Sequence, residues 1–197
     1  MCWSFQASII TWIIGLATSI YLLCRHHKND IVMGLLILTY SSMQLWEALM
    51  WYDQKCGKLN KIGTQLAYYA LSSHILAIGI GLFIEYKVKI PLIVGAAVLL
   101  AAIIFRPKKW DCSVKGENGH LKWGFEPGFY IYIFAIALAF CLYYIKPFNV
   151  ALLISALFLA SFIFTLLFGT ETAGSFWCWI SACFGFLFIL VNNLSAN

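Results

Sequence analysis

The fold is decided by residues 31–51, which read IVMGLLILTYSSMQLWEALMW. As a helix, this stretch is long enough to cross the roughly 30 Å of hydrocarbon in a bilayer. Similar apolar blocks recur along the chain with charged or polar residues between them. Lipid offers no hydrogen bonds, so only helices satisfy the backbone of such blocks, and an all-α polytopic membrane protein with seven transmembrane helices is predicted. The predicted spans are residues 5–24, 31–51, 64–84, 90–105, 129–145, 149–168 and 176–192.

The composition agrees with a membrane environment. Hydrophobic residues make up 62% of the chain and charged residues 11%, whereas a soluble domain carries about 25% charge. The segments between spans are short, which predicts that residues 1–197 form one helical bundle without a soluble domain. No basic residue precedes Arg25, so we expect the first block to be a retained span and not a signal peptide. The longest basic run is Lys108-Lys109, which argues against nucleic acid as a partner.

The short fourth block, residues 90–105, suggests a 3+1+3 arrangement, with six spans plus a re-entrant segment as the alternative. A 3+1+3 architecture resembles that of the SWEET sugar transporters. The proline-glutamine pair that marks their wider family is missing, so the resemblance brings no site residues. Small residues recur at four-residue spacing in six of the spans, which favours close packing within the bundle. A homo-oligomer stays an open alternative.

The orientation follows from charges and cysteines. We call the side that holds the amino terminus and loops 52–63, 106–128 and 169–175 the N-side. A raw count of Lys and Arg favours a cytosolic N-side, but the first span carries its basic residues only at the far end. Four cysteines fall on the N-side, as two disulfides in an oxidising compartment require: Cys2, Cys56, Cys112 and Cys178.

An extracellular or lumenal amino terminus and a cytosolic carboxyl terminus are therefore predicted, with Cys56–Cys112 favoured as one bridge because both cysteines lie in sizeable loops. Free thiols remain the alternative. In this orientation the sequon at Asn193 faces the cytosol and stays unused.

Glu47 is the only carboxylate within a predicted span, and a charge at such depth is treated as functional by default. Gln44, Ser41 and Tyr40 extend a polar stripe from Glu47 toward the middle of the bilayer. The next span carries His74 and Ser73, with Gln65 and Tyr69 nearer the N-side. A short loop joins the two helices, so we expect Glu47 and His74 to meet in one cavity and relay protons or bind an ion. The structural alternative is that each is hydrogen-bonded within a packed core.

Tryptophans concentrate toward the N-side, where an interfacial aromatic belt would explain several of them. Trp46 adjoins Glu47, and Trp177 and Trp179 open the last span, so these three are predicted to line a mouth above the polar stripe. Aromatic faces beside a carboxylate suit a cationic or other small polar solute. Trp110, Trp123 and Phe125 indicate that loop 106–128 folds back over the N-side.

The residues that several known membrane-protein functions require are missing from this sequence. No lysine lies inside a span, which excludes retinal bound as a Schiff base. Only His74 among the histidines is embedded, so an intramembrane metal hydrolase is disfavoured, and no metal or cofactor is expected. Neither a phosphate-binding loop, a nucleophile elbow nor a potassium filter motif occurs.

Three motifs resemble a group of multi-pass proteins of giant DNA viruses and unicellular algae. They are Met1-Cys2-Trp3-Ser4-Phe5, the segment Met43-Gln44 with Trp46-Glu47 and Trp51, and Gly119-His120-Leu121-Lys122-Trp123. The resemblance implies a viral or protist source and brings no catalytic or binding residues.

The function predicted from the sequence is a small channel or secondary transporter for an ion or small polar solute in a lipid bilayer. A non-transporting structural or receptor-like membrane protein is the alternative, and a membrane-embedded lipid enzyme is third. An enzyme is the less favoured class.

Overall fold

The computed structural model describes residues 4–125, 130–169 and 172–194 and, in α5, α6 and α7, only some of the side chains. Most of the described chain is helical, with one short hairpin in the loop after α4. The helices are α1 (Phe5–Arg25), α2 (Asp30–Tyr52), α3 (Lys58–Tyr86), α4 (Ile90–Ile104), α5 (Tyr130–Leu142), α6 (Phe148–Phe168) and α7 (Ala173–Leu194), and the strands are β1 (Val114–Lys115) and β2 (Leu121–Lys122). The strands pair antiparallel, with Val114 opposite Lys122.

Helix length and composition identify an integral membrane protein. Among the described residues, four helices are long and apolar enough to cross a bilayer, namely α1, α2, α3 and most of α6. Helix α4 has only 15 residues, which is roughly 22 Å of helix. Helix α5 ends at Leu142, short of the predicted end at residue 145. The predicted helical membrane fold is thus confirmed in its coarse form, while the number of spans stays a prediction.

Helix α2 is the centre of the bundle. It packs along α1 on one side and α3 on another, and it also contacts α7, while α3 continues the array to α4. Fully buried apolar side chains of α2, such as Leu36 and Met43, meet those of α3, such as Ile75, in one core cluster. A polar side chain on the inner face of α2 is therefore surrounded by protein and not by lipid.

At the end of the bundle opposite the N-side, buried polar groups hold three segments together. The Arg25 guanidinium donates to both carboxylate oxygens of Asp30, at 2.8 and 2.7 Å. Glu85 of α3 accepts hydrogen bonds from the backbone N–H groups of Asn29 and Ile31, which lie at the start of α2. The Asn29 side chain in turn donates to the carbonyl of Lys146, between α5 and α6. This cluster fixes where α1, α2 and α3 meet.

Helix α3 begins at Lys58 and not at the predicted residue 64, because Asp53 caps it. One Asp53 oxygen accepts from the N–H of Gly57 at 3.1 Å, and the other accepts from Leu59 at 3.0 Å and Asn60 at 3.2 Å. A carboxylate in this position accepts hydrogen bonds from the free N–H groups of the first turn. Its negative charge also interacts favourably with the positive end of the helix dipole. The cap adds almost two turns to the N-side end of α3.

Helices α3 and α4 approach each other at two glycines. A Cβ added at Gly79 would lie 2.6 Å from the backbone of Leu92, and one at Gly95 would lie 2.5 Å from the Leu76 Cα. Both distances are below any normal contact, so the helices pack backbone to backbone. This pairing attaches the short α4 firmly to α3.

We expect Gly95→Leu to destabilise the protein by about 1–3 kcal/mol, because the new side chain has no space against Leu76. Ala96→Leu is the matched control, since Ala96 is exposed on α4, about 100° around the helix from Gly95. Thermal unfolding of the purified variants in detergent measures the difference. Equal melting temperatures for the two variants would contradict the close α3–α4 approach.

Candidate functional site

A column of polar side chains lies along the inner face of α2. Tyr40, Gln44 and Glu47 are separated by four and three residues, so at about 100° per residue they share one face of the helix. None of the three is measurably exposed. Ser41 is also fully buried, but it lies on the neighbouring face, where a Cβ at Gly15 of α1 would contact it at 2.5 Å. Ser41 therefore belongs to helix packing and lies beside the column.

The N-side end of the column is closed by the loop after α4. The indole N–H of Trp123 donates to Oε1 of Glu47 at 2.9 Å. The Trp123 ring stacks on Phe125, with centroids 5.1 Å apart. It also packs against Gly174 of α7, where an added Cβ would lie 2.5 Å from the ring. The prediction that this loop folds back over the N-side is confirmed, and its tryptophan reaches the buried carboxylate.

The hairpin that carries Trp123 is tied to the start of α3 by covalent and polar links. Cys56 and Cys112 form a disulfide, as predicted, with Cα atoms 5.5 Å apart. The Asn60 amide donates to the Ser113 carbonyl at 2.8 Å and accepts from the Ser113 N–H at 2.9 Å. The hydroxyls of Thr64 and Ser113 are 2.8 Å apart. Asn60, Thr64 and Ser113 are all buried, so the hairpin is held in one position.

His74 of α3 lies deeper, beside Tyr40. The two rings meet edge to face with centroids 4.1 Å apart, and the Nδ1 atom of His74 is 2.9 Å from the Leu71 carbonyl. His74 is fully buried. The column thus runs from Trp123 through Glu47 and Gln44 to Tyr40 and His74. The adjacent Ser73 is half-buried, and its hydroxyl donates to the Ala70 carbonyl at 2.7 Å.

Trp177 lies inside the bundle and not at a mouth. Its ring is 5.8 Å from that of Tyr40 and 5.1 Å from that of Phe162, and its N–H donates to the Ser161 hydroxyl at 2.9 Å. Helix α7 begins at Ala173, so the second turn of α7 has already reached the depth of Tyr40. Trp177 closes the side of the column that faces α6.

The other predicted site residues are placed elsewhere or lie outside the description. Trp46 is half-buried and packs against the core, about 100° around α2 from Glu47. Gln65 and Tyr69 line an open cleft on the N-side together with Arg106, Lys108 and Trp110. Cys2 and the side chains of Cys178 and Trp179 lie outside the described residues.

The reason that Gln65 and Tyr69 miss the column is helical geometry. Gln65 precedes His74 by nine residues, which at about 100° per residue places it on the opposite face of α3. Tyr69 lies roughly 140° from His74 by the same measure. Sequence spacing alone therefore contained the information that these residues and His74 face different surroundings.

Three residues that hold the site were not predicted as parts of it: Asn60, Ser113 and Trp123. The Asn60–Ser113 pair joins positions 53 residues apart, and no short-range pattern signals such a contact. One signal was available, because Asn60 lies four residues after Cys56 and Ser113 directly follows Cys112, and these two cysteines were predicted to pair.

His120, at the turn of the same hairpin, is half-buried, and this burial lowers its pKa.

No family model matches the chain, and no curated protein or solved structure is significantly similar to it. Function is therefore argued from the geometry of the site.

We expect Trp123→Phe to destabilise the protein by about 1–3 kcal/mol, because a buried carboxylate loses a hydrogen-bond donor. Trp110→Phe is the control, since Trp110 has no described contact with Glu47. Thermal unfolding in detergent measures both variants. Combining Trp123→Phe with Glu47→Met, which has no oxygen acceptor, completes a double-mutant cycle, and a coupling energy of zero would show that the 2.9 Å contact carries no free energy.

Proposed function

We propose that the protein is a small membrane channel or secondary transporter for an ion or a small polar or cationic solute, and that the column from Glu47 to His74 is its pathway. The observation that carries the proposal is a carboxylate with no measurable exposure inside a helix long and apolar enough to span a membrane. Such a group is costly to keep in a membrane and marks ion or proton pathways in other proteins.

The arrangement of the column supports a relay. Glu47, Gln44, Tyr40 and His74 offer carboxylate, amide, phenol and imidazole groups in succession along one line. Each of these groups has an oxygen or nitrogen lone pair that can bind a cation or accept a hydrogen bond. Glu47 is the first of them on the N-side and would bind a cation, while His74 is the deeper partner and can accept a proton.

In this proposal the described conformation is closed on the N-side. The Trp123 indole is hydrogen-bonded to the Glu47 carboxylate, and the Tyr40 ring is enclosed by His74, Phe158 and Trp177. Opening requires the Trp123 indole to leave Glu47 while the disulfide keeps the base of the hairpin on α3. A cationic solute would then replace the indole N–H as the partner of the carboxylate.

A non-transporting structural or receptor-like membrane protein is the second candidate. It is favoured by the complete burial of Tyr40, Gln44, Glu47 and His74, which is what a packed polar core without a pathway would show. The two candidates differ in whether these side chains ever meet water.

We expect Glu47→Gln to abolish flux, or its dependence on pH, in proteoliposomes. The neutral amide preserves the shape of the side chain and removes the charge that attracts a cation. The probes are protons, followed with a pH-sensitive dye, and sodium, potassium and choline gradients. Glu117→Gln is the control, because Glu117 is exposed on the hairpin.

Unchanged flux in Glu47→Gln would remove Glu47 from the mechanism, and absence of flux for every probe in the unmodified protein would favour the second candidate. Single cysteines at positions 40, 44 and 47, in a variant whose Cys2, Cys24, Cys141, Cys178 and Cys183 are serines, separate the two candidates directly. A pathway makes these cysteines react with hydrophilic thiol reagents, whereas a packed core leaves them unreactive.

We further propose that the N-side is extracellular or lumenal and that α1 to α7 each cross the membrane. Support comes from the Cys56–Cys112 disulfide, since such bonds persist in oxidising compartments. The carboxyl terminus is then cytosolic.

In intact cells we expect Lys61→Cys to react with a membrane-impermeant maleimide and Lys87→Cys to react only after permeabilisation. Both lysines are exposed, Lys61 in the first turns of α3 and Lys87 just after its end. The background variant carries serine at Cys2, Cys24, Cys141, Cys178 and Cys183, so that the introduced cysteine is the only one outside the Cys56–Cys112 disulfide. The reverse labelling pattern would invert the orientation.

A further inference from the structure

A cleft on the N-side, distinct from the column, brings together polar groups that the proposed pathway does not use. It has a volume of about 560 Å³ and is lined by Gln65 and Tyr69 of α3 and by Ile104, Arg106, Pro107, Lys108 and Trp110 at and after the end of α4. We infer that this cleft binds a phosphate group, carried by an anionic lipid headgroup or by a free phosphate.

The charge of the cleft favours an anion. Arg106 and Lys108 both line it, and none of its described lining residues carries a carboxylate. Within residues 4–125, 130–169 and 172–194, neither cation has an ion-pair partner, whereas the neighbouring Lys109 is paired with Asp111 at 3.7 Å. A guanidinium presents two parallel N–H donors to a phosphate, and an ammonium adds a further point charge.

The uncharged lining residues add donors. The Tyr69 hydroxyl, the Gln65 amide and the Trp110 indole each carry an N–H or O–H group, and among the described residues none of these groups has a hydrogen-bond partner. Three neutral donors beside two cations match the several acceptor oxygens of one phosphate. The same donors without the cations would suit a sugar, so the two charges decide the class of ligand.

The wall of the cleft is fixed by packing. The Trp110 ring lies 5.3 Å from that of Tyr68 and 6.4 Å from that of Tyr69, and the Tyr68 hydroxyl donates to the Ala102 carbonyl at 3.1 Å. Trp110 is therefore held by a buried side chain that is itself anchored to α4. A preformed wall lowers the entropy cost of binding.

The position of the cleft also suits an amphiphile. Ile104 is 63% exposed and Phe105 is 80% exposed, so an apolar surface adjoins Arg106 directly. Helix α4 ends there, at the border between an apolar helix and a charged loop. A phospholipid placed with its phosphate on Arg106 and Lys108 would lay an acyl chain against Ile104 and Phe105.

The test uses the full-length protein purified in detergent and titrated with dioleoyl phosphatidylglycerol, with bound lipid counted by native mass spectrometry. Dioleoyl phosphatidylcholine tests whether the net charge of the headgroup matters. Inorganic phosphate, added as a competitor, tests whether the bound phosphate group comes from a lipid or from free phosphate. We expect the double variant Arg106→Gln with Lys108→Gln to bind phosphatidylglycerol roughly ten-fold or more weakly. Lys109→Gln, which changes an exposed lysine outside the cleft, is expected to bind normally.

A second double variant, Arg106→Lys with Lys108→Arg, keeps both charges and should retain binding, which separates loss of charge from loss of folding. Competition by inorganic phosphate at millimolar concentration would identify a free phosphate as the ligand, and absence of competition would identify the lipid headgroup. Equal binding of phosphatidylcholine and phosphatidylglycerol, or full binding by the charge-free variant, would overturn the inference.

Discussion

The hydrogen bond from Trp123 to Glu47 is the contact on which the N-side half of the molecule depends. A carboxylate at the centre of a helical bundle has lost its water, and this loss is costly unless donors replace it. The donor here comes from a hairpin whose Leu121 and nearby Phe125 also pack into the hydrophobic core. The disulfide at Cys56 and the paired hydrogen bonds between Asn60 and Ser113 keep that hairpin in place, so the covalent link and the polar links serve one buried group.

Two kinds of packing divide the bundle. Helices α1 to α4 meet through small residues, as at Gly15, Gly79 and Gly95, where backbones approach closely. Around the column, α2 meets α6 and α7 through large rings instead, with Tyr40 between Phe158 and Trp177. Glycine contacts hold two backbones at a fixed distance, whereas ring contacts tolerate rotation about side-chain bonds. Movement, where function requires it, is therefore easier at the aromatic interface than between α3 and α4.

The sequence predicted well those features that depend on local pattern. The helical membrane fold, the polar face of α2 and the Cys56–Cys112 bridge all follow from periodicity, hydropathy or residue type. It predicted less well what depends on contacts between distant segments, because only the nearby cysteine pair indicates that Asn60 and Ser113 lie close together. Trp177 was placed at a mouth because its position relative to the start of α7 was not known. Gln65 and Tyr69, which were predicted nearer the N-side on the same helix as His74, line a separate cleft because they lie on other faces of α3.

The hairpin lies far along the sequence from Cys56 and Asn60, the residues that hold it, and this distance has a consequence for biosynthesis. Cys112 and Ser113 emerge from the ribosome more than fifty residues after Cys56 and Asn60, with the rest of α3 and all of α4 between them. Glu47 therefore enters the membrane before its tryptophan exists, and it stays without that partner until α3 and α4 are both inserted. During this interval the carboxylate lacks the indole donor that it has in the folded chain.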